Sequence, residues 1–295
     1  MSTQQLDPDA PPQLGWRWLL AVPLLLSVVL LAGSQGVFLK HSLYLDLSFG
    51  KVAPDWSWSN YLKIFSDPFY LRTLWLTTWI SLVVAACCIG FGFPIAKTLA
   101  RSSSRWTTWL LSAIVTSSFI STVIQIFGLI ILFRADGPIN SFLAATGLTE
   151  QPFRIIGTPA GVILGLVYAS FGFAVMLMYG VIRTIPPSLD EAAAVHGATR
   201  WRVLTRVILP LSLPGLIVGF LTVFNISMGA FTSAALLGGG RIITVPVLIQ
   251  RTMLLDVKYG MAAALAALLL LFVVCMNLLC VWILRQFRAS RVVVA

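Results

Sequence analysis

The stretch SLDEAAAVHGATRWRVLTRVILPLSLPG, residues 188–215, is the one long polar segment between two runs of membrane-grade hydrophobicity, and the rest of the chain is organised around it. Pro186 and Pro187 end any helix that precedes it, because proline lacks the N–H that a helix interior requires. Ser188 followed three residues later by Glu191 is an S-x-x-E capping box, which predicts a helix with Ser188 as its cap. Ala192, Ala193 and Ala194 favour that helix, and Gly197 stands where a residue able to take positive φ ends it. Thr199 can open a second helix, with Trp201, Leu204 and Ile208 on one face and Arg200, Arg202 and Arg206 on its flanks. Pro210 and Pro214 then mark the start of the next apolar run. The expected object is a helix, a glycine elbow and a second amphipathic helix, outside the bilayer and tied at both ends to spanning segments.

Glu191-Ala192-Ala193, three residues, Gly197, nine residues and then Val207-Ile208-Leu209-Pro210 resemble the EAA loop of permease subunits of type I binding-protein-dependent ABC importers. The family pattern is EAA, three residues, G, nine residues, I-x-L-P. Val207 departs from the usual isoleucine and keeps its apolar β-branched character. Asn60-Tyr61 and Asp67-Pro68-Phe69, followed by Leu71 and Thr73, are similar to the region before the second helix of spermidine/putrescine-type permeases. The likeness to that polyamine-type branch runs over nearly the whole chain. It implies an all-α polytopic permease with six transmembrane helices in a bacterial inner membrane. It also implies partners: two cytoplasmic ATPase subunits that bind ATP and Mg, a second homologous permease subunit, and a periplasmic binding protein that delivers ligand. By the same resemblance Glu191, Ala192, Ala193, Gly197, Arg200, Arg202, Leu209 and Pro210 form the ATPase-coupling loop, with Glu191 meeting a cation on the ATPase. Gly238-Gly239-Gly240 resembles an L-G-G element, and its backbone freedom suits an outer gate.

Composition points the same way. With 58% hydrophobic and 10% charged residues, the chain lies outside soluble globular composition and reads as an integral membrane protein. The net charge of +10 does not indicate nucleic acid, because the basic residues border apolar runs and do not cluster on one soluble face. Cys87, Cys88, Cys275 and Cys280 sit inside apolar runs without metal-type spacing and read as buried thiols, so no metal site is expected. The nearest approach to a phosphate-binding loop, Gly92-Phe93-Pro94-Ile95-Ala96-Lys97-Thr98, has Ala96 where glycine is needed and Phe91 where the first glycine belongs. No H-E-x-x-H or G-x-S-x-G occurs, so the chain is expected to be a transport subunit with no catalytic residue and no cofactor of its own.

In chain order, residues 1–13 are polar and without periodicity, and are expected to be disordered within a cytoplasmic tail, 1–17. Spans are expected at about 18–39, 73–96, 106–133, 155–182, 211–237 and 259–284, the coupling loop at 188–210 and a cytoplasmic tail at 285–295. The small residues Ala32, Gly33, Ser34 and Gly36 leave a cleaved signal peptide as the alternative to an uncleaved first span. Trp56, Trp58, Tyr61 and Phe65 in 41–71 suit a helix lying at the membrane interface. Gly157, Gly161, Gly165 and Ala169 recur as a small-residue ridge, as do Gly215 with Gly219 and Ala262 with Ala266, which predicts close helix packing. Gly90, Gly92 and Pro94 are expected to bend or loosen the end of the second span. Arginine density in the short loops places both termini and the EAA loop in the cytoplasm, with membrane lipid around the spans.

The resemblance suggests a small cationic solute, yet no span carries an acidic residue to balance it. Gln125, Tyr168, Ser170, Asn225, Ser227 and Thr232, with Met228 and Phe231 beside them, could line a path. Each could equally make an interhelical hydrogen bond. Asn225 to Thr232 would belong to the span that the EAA loop drives. The expected cargo is a small, polar, nitrogen-containing solute such as a polyamine; an opine or amino-acid conjugate, an aminophosphonate and ferric iron are alternatives. A self-contained channel or secondary carrier is the rival class and would need ionisable residues along a path.

Overall fold

The computed structural model describes residues 14–47, 51–102, 104–148 and 151–292. The expected disorder of 1–13 lies outside them. The elements in order are α1 (Leu14–Ser42), β1 (Tyr44–Asp46), β2 (Val52–Trp56), α2 (Ser59–Ser66), α3 (Pro68–Arg101), α4 (Arg105–Phe119), α5 (Thr122–Phe133) and α6 (Pro138–Ala145). They continue with α7 (Pro159–Arg183), α8 (Ser188–Val195), α9 (Arg200–Val203), a π turn (Leu204–Ile208), α10 (Leu209–Gly229), α11 (Thr232–Leu237), α12 (Val245–Leu254) and α13 (Tyr259–Val292). The fold is all-α, its two short antiparallel strands forming only a small hairpin. Among the described residues, six stretches are long and apolar enough to cross a membrane: Ala21–Ser42, Pro68–Arg101, Thr122–Ala145, Pro159–Arg183, Arg200–Gly229 and Tyr259–Trp282.

The core is built on α3 and α7, which run side by side in the same direction. Ile80, Val84, Ala85 and Cys88 of α3 are buried against Val162, Leu166, Val175 and Met178 of α7. Gly92 permits this approach, since a Cβ there would lie 2.6 Å from Met178 Cε. Close approach is its role, and α3 continues unbroken through Pro94 to Arg101. α10 lies in the groove between the two, with Gly215 against Val181 of α7 and Gly219 against Ile89 of α3, so this small-residue ridge packs as expected. The longer ridge does not. Gly157 precedes α7 with φ +82°, Gly161 faces the backbone of Ile155 and Ile156 before the helix, and of the three glycines Gly165 alone meets another helix, at Leu237 and Ser233 of α11.

Two expected spans prove to be broken. Residues 106–133 divide into α4 and α5 at Ile120 and Ser121, both extended. Gln125 makes the break tolerable by donating from Nε2 to the Ser117 carbonyl at 2.9 Å, supplying a donor where the helix stops. The fifth span ends at Gly229, not 237; Ala230 is extended and α11 begins at Thr232. The same span also starts earlier than expected. Arg200–Gly229 is one helical rod of 30 residues, with no interruption at Pro210. A proline ring crowds the carbonyl four residues back, here Arg206, and the wider π turn opens the backbone there without breaking the helix.

At the opposite end, the aromatic segment forms a helix, α2, which buries Asn60 and Ile64 and exposes Leu62 and Phe65, with Trp58 exposed just before it. Asp46 caps α13: Oδ1 accepts from Gly260 N and Oδ2 from Met261 N, each at 2.7 Å. Thr77 Oγ1 accepts from Val245 N at 2.9 Å and so caps α12 from the wall of α3. α1 packs antiparallel on α13, with His41 beside Tyr259 and Ser34 beside Ala266. The start of α1 and the end of α13 therefore lie at the same end of the bundle as residues 188–208.

Candidate functional site

α8 emerges from the end of α7 through Thr184 and Ile185. Its start differs from the capping-box expectation: Pro187 is the cap residue, with φ −60° and ψ −26°, and no side chain caps the helix. Because Pro187 already has helical dihedrals, Ser188 falls inside the first turn, where its hydroxyl cannot reach the amide of Glu191. That amide bonds to the Pro187 carbonyl instead. The end of α8 follows the sequence closely. Gly197 has φ +73°, Ala198 N donates to Ala193 O at 3.0 Å and Gly197 N to Ala194 O at 2.9 Å, the paired bonds of a Schellman turn. Thr199 then caps the next helix, its Oγ1 accepting from Arg202 N.

No residue of α8 is buried. Glu191, Ala192 and His196 face outward, Val195 is 85% exposed and Trp201 70% exposed. Only Ala193 and Ala198, the two residues joined across the turn, pack partly on the core. Of the expected apolar face, Ile208 is buried and Leu204 packs partly on the core, while Trp201 points outward. Val203 is buried as well, five residues before Ile208, the spacing that the wider π turn brings to one side. Arg200, Arg202 and Arg206 are exposed, while Leu209 and Pro210 lie half-buried at the start of α10.

Arg101, which the sequence offers only as a charge bordering a span, ties this segment to the bundle. Its Nε lies 2.8 Å from Asp190 Oδ2 and its NH1 donates to Ile185 O at 2.9 Å, across 84 positions of sequence. The Nε contact is an ion pair by distance but lies off the hydrogen-bond direction, so the pair is single-pronged. Arg101 NH2 and Asp190 Oδ1 have no partner among the described residues.

The polar residues considered for a path are dispersed. Gln125 closes the α4 break. Asn225 exchanges two 3.1 Å amide hydrogen bonds with Asn277 of α13, which occupies its side chain in helix pairing. Ser170, Ser227 and Met228 are buried, and the Ser227 hydroxyl has no partner among the described residues. Tyr168 is 46% exposed on α7. Phe231 and Thr232 do not belong to the helix continuous with the loop, since it ends at Gly229. Gly238 caps α11, and Gly239 and Gly240 have φ +55° and +73°. A Cβ on Gly239 would lie 3.3 Å from Gly157 Cα, so two glycines make a backbone-to-backbone junction there, closed by Gly157 N donating to Leu237 O at 2.7 Å. Asn277 was discoverable, as the lone amide in the last apolar run. The Arg101–Asp190 contact was not, because nothing local links the two positions.

This helix-turn-helix on the end of an α-helical bundle matches known proteins. Residues 56–289 fit the family of binding-protein-dependent transport system inner membrane components. The chain belongs to that family. It is a permease subunit of an ABC importer, a multi-pass inner-membrane protein. The spermidine/putrescine transport system permease protein PotB of Escherichia coli (strain K12) is 32% identical over 246 residues, covering 83% of this permease and 86% of that protein. PotB of Haemophilus influenzae is 31% identical over 205 residues, covering 70% and 71%. A probable sulfate transport system permease of Chlorella vulgaris is 30% identical over 182 residues, covering 61% and 66%. The fold is shared with the bacterial alginate ABC transporter crystallised with its alginate-bound periplasmic protein, at a TM-score of 0.77 and 20% identity, covering 92% of this permease and 95% of that chain.

Proposed function

We propose that this permease carries a small polar, nitrogen-containing solute, with polyamines the first candidates, and that α8 is the element on which a separate ATPase subunit docks. The observation that carries the docking reading is that α8 buries nothing of its own, yet stands at the head of a rod, Arg200–Gly229, that runs into the core. A helix-turn-helix that leaves Val195 of α8 and Trp201 of α9 bare, with Glu191 exposed, offers apolar anchors with a charged rim, the pattern of a protein interface. Push on α8 passes through the Gly197 turn into α9, the π turn and α10 with no loose joint at Pro210. ATP and Mg are expected on the ATPase subunits. A second permease subunit and a periplasmic binding protein complete the assembly. The polyamine reading rests on the PotB relatives, because the polar residues of this chain do not converge on one site.

Orientation has its own test. Both termini, α8 and the 196–206 segment are assigned to the cytoplasm, and α6 to the outer side. In a background with Cys87, Cys88, Cys275 and Cys280 replaced, Val195→Cys and Ser141→Cys, both exposed positions, are expected to label oppositely. An impermeant maleimide should reach 141 in intact cells and 195 only in inverted vesicles. Labelling of 195 from outside would overturn the assignment.

For the cargo, the permease is reconstituted with its partner permease, ATPase subunits and binding protein, and uptake of labelled spermidine is measured. Putrescine, an amino-acid conjugate, an aminophosphonate, ferric iron and sulfate compete in turn. Polyamines are expected to compete at least tenfold better than the oxyanion or iron; transport of sulfate or iron alone would reject the reading.

A further inference from the structure

α8 is joined to the bundle by the chain at both ends and by the partial packing of Ala193, and none of its residues is buried. One charged side-chain contact adds to these. Arg101 is the last residue of α3, a position where a cation is favoured by the helix dipole, and Asp190 lies in the first turn of α8, where an anion is favoured. The same guanidinium holds the Ile185 carbonyl just past the end of α7. Three elements thus meet on one side chain. We infer that Arg101 and Asp190 form a strut that sets the angle of α8 against the α3–α7 core, making both positioning residues for energy coupling. This rests on the reading of α8 as the ATPase-docking helix.

The character of the contact suits a pivot. A bidentate arginine–carboxylate pair would fix direction as well as distance, whereas here Arg101 Nε and NH2 and Asp190 Oδ1 all lack a hydrogen-bond partner among the described residues. The partners' side chains are only 17% and 25% exposed, so the pair is largely withdrawn from water and removal of one charge leaves the other underpaired. What it limits is the rocking of α8 about its two chain connections. A helix held to the core by a side chain as well as by its ends transmits displacement to α10; one held by its ends alone pivots on them and dissipates it.

The test uses the full complex with its ATPase subunits in lipid nanodiscs, native cysteines replaced, and spin labels at the exposed positions Phe91 and Val195. The otherwise unaltered chain is expected to give one narrow distance that shifts when ATP binds. Arg101→Gln and Asp190→Asn are each expected to at least double the width of that distribution and remove the shift, with the same amount of ATPase subunit bound. The exchange Arg101→Asp with Asp190→Arg restores the opposite charges but not the bond to Ile185, so it should recover part of the narrowing and of the shift, which a merely lost packing contact would not allow. Unchanged width and shift in the single variants would overturn the strut, as would an exchange that recovers nothing. A reference chain that fails to retain its ATPase subunit would instead overturn the docking reading, and is recognised by co-purification alone.

Discussion

Gly197→Val is expected to lower binding-protein-stimulated transport at least fivefold while leaving membrane insertion unchanged. Gly197 sits at φ +73°, and a Cβ built there meets nothing within 4 Å. The cost is therefore conformational and not steric. The left-handed region costs an L-residue about 1–2 kcal/mol, and a β-branched side chain is the least suited to it. A penalty of that size shifts a local equilibrium by a factor of roughly 5–30. It falls on the turn whose two hydrogen bonds hold α8 against α9, so α8 leaves its register while the bundle is untouched. Gly197→Asn is the companion, since asparagine visits this region readily, and it should keep most of the activity. Uptake and ATP hydrolysis in proteoliposomes decide the matter: equal loss in the valine and asparagine variants, or wild-type coupling in both, would remove the turn from the mechanism.

Gly215→Leu is expected to have the largest effect on stability. A Cβ at 215 would lie 2.5 Å from both γ-carbons of Val181 and 2.9 Å from its Cβ, a β-branched neighbour whose bulk begins at the backbone. Such overpacking costs typically 1–3 kcal/mol, and more when neither helix can yield. α10 would be levered off α7 close to where the loop feeds into the core. Gly180→Leu is the internal control: that glycine is also within a helix, but nothing lies within 4 Å of its Cβ position, and leucine is the better helix former. Heating the detergent-purified protein and following the monodisperse fraction should show early loss for the 215 variant and none for the 180 variant. Equal behaviour of the two would mean that the α7–α10 contact is not close-packed.

Much of this could be read before any fold was known, because two signals are local. Uncharged runs near the length of a bilayer core identify spans whatever their partners, and Glu191-Ala192-Ala193 with Gly197 carries its own geometry: alanines hold a helix and a glycine takes the positive φ that ends it. The failures share one cause, which is that hydropathy does not register where backbone hydrogen bonds go. The uncharged runs 106–133 and 211–237 look continuous, yet one breaks at Ile120, where the Ser117 carbonyl accepts from Ile120 N and from Gln125 Nε2, and the other stops at Gly229. Pro210 looks like a boundary, yet the π turn carries the helix through it, brings Val203 and Ile208 to one side, and joins the loop to the fifth span. Polar residues were the least legible. Asn225 was paired by Asn277, 52 positions away, and Asp46 by the amides of Gly260 and Met261, so neither is free to face a solute. The sequence by itself determined the membrane class, the number of spans and the elbow, since each follows from propensity and composition within a window of a few turns. Only tertiary structure decided that Arg101 holds Asp190 and that helices α3, α7 and α10 form the core: such contacts join residues remote along the chain, and their energy exists only once the helices have packed.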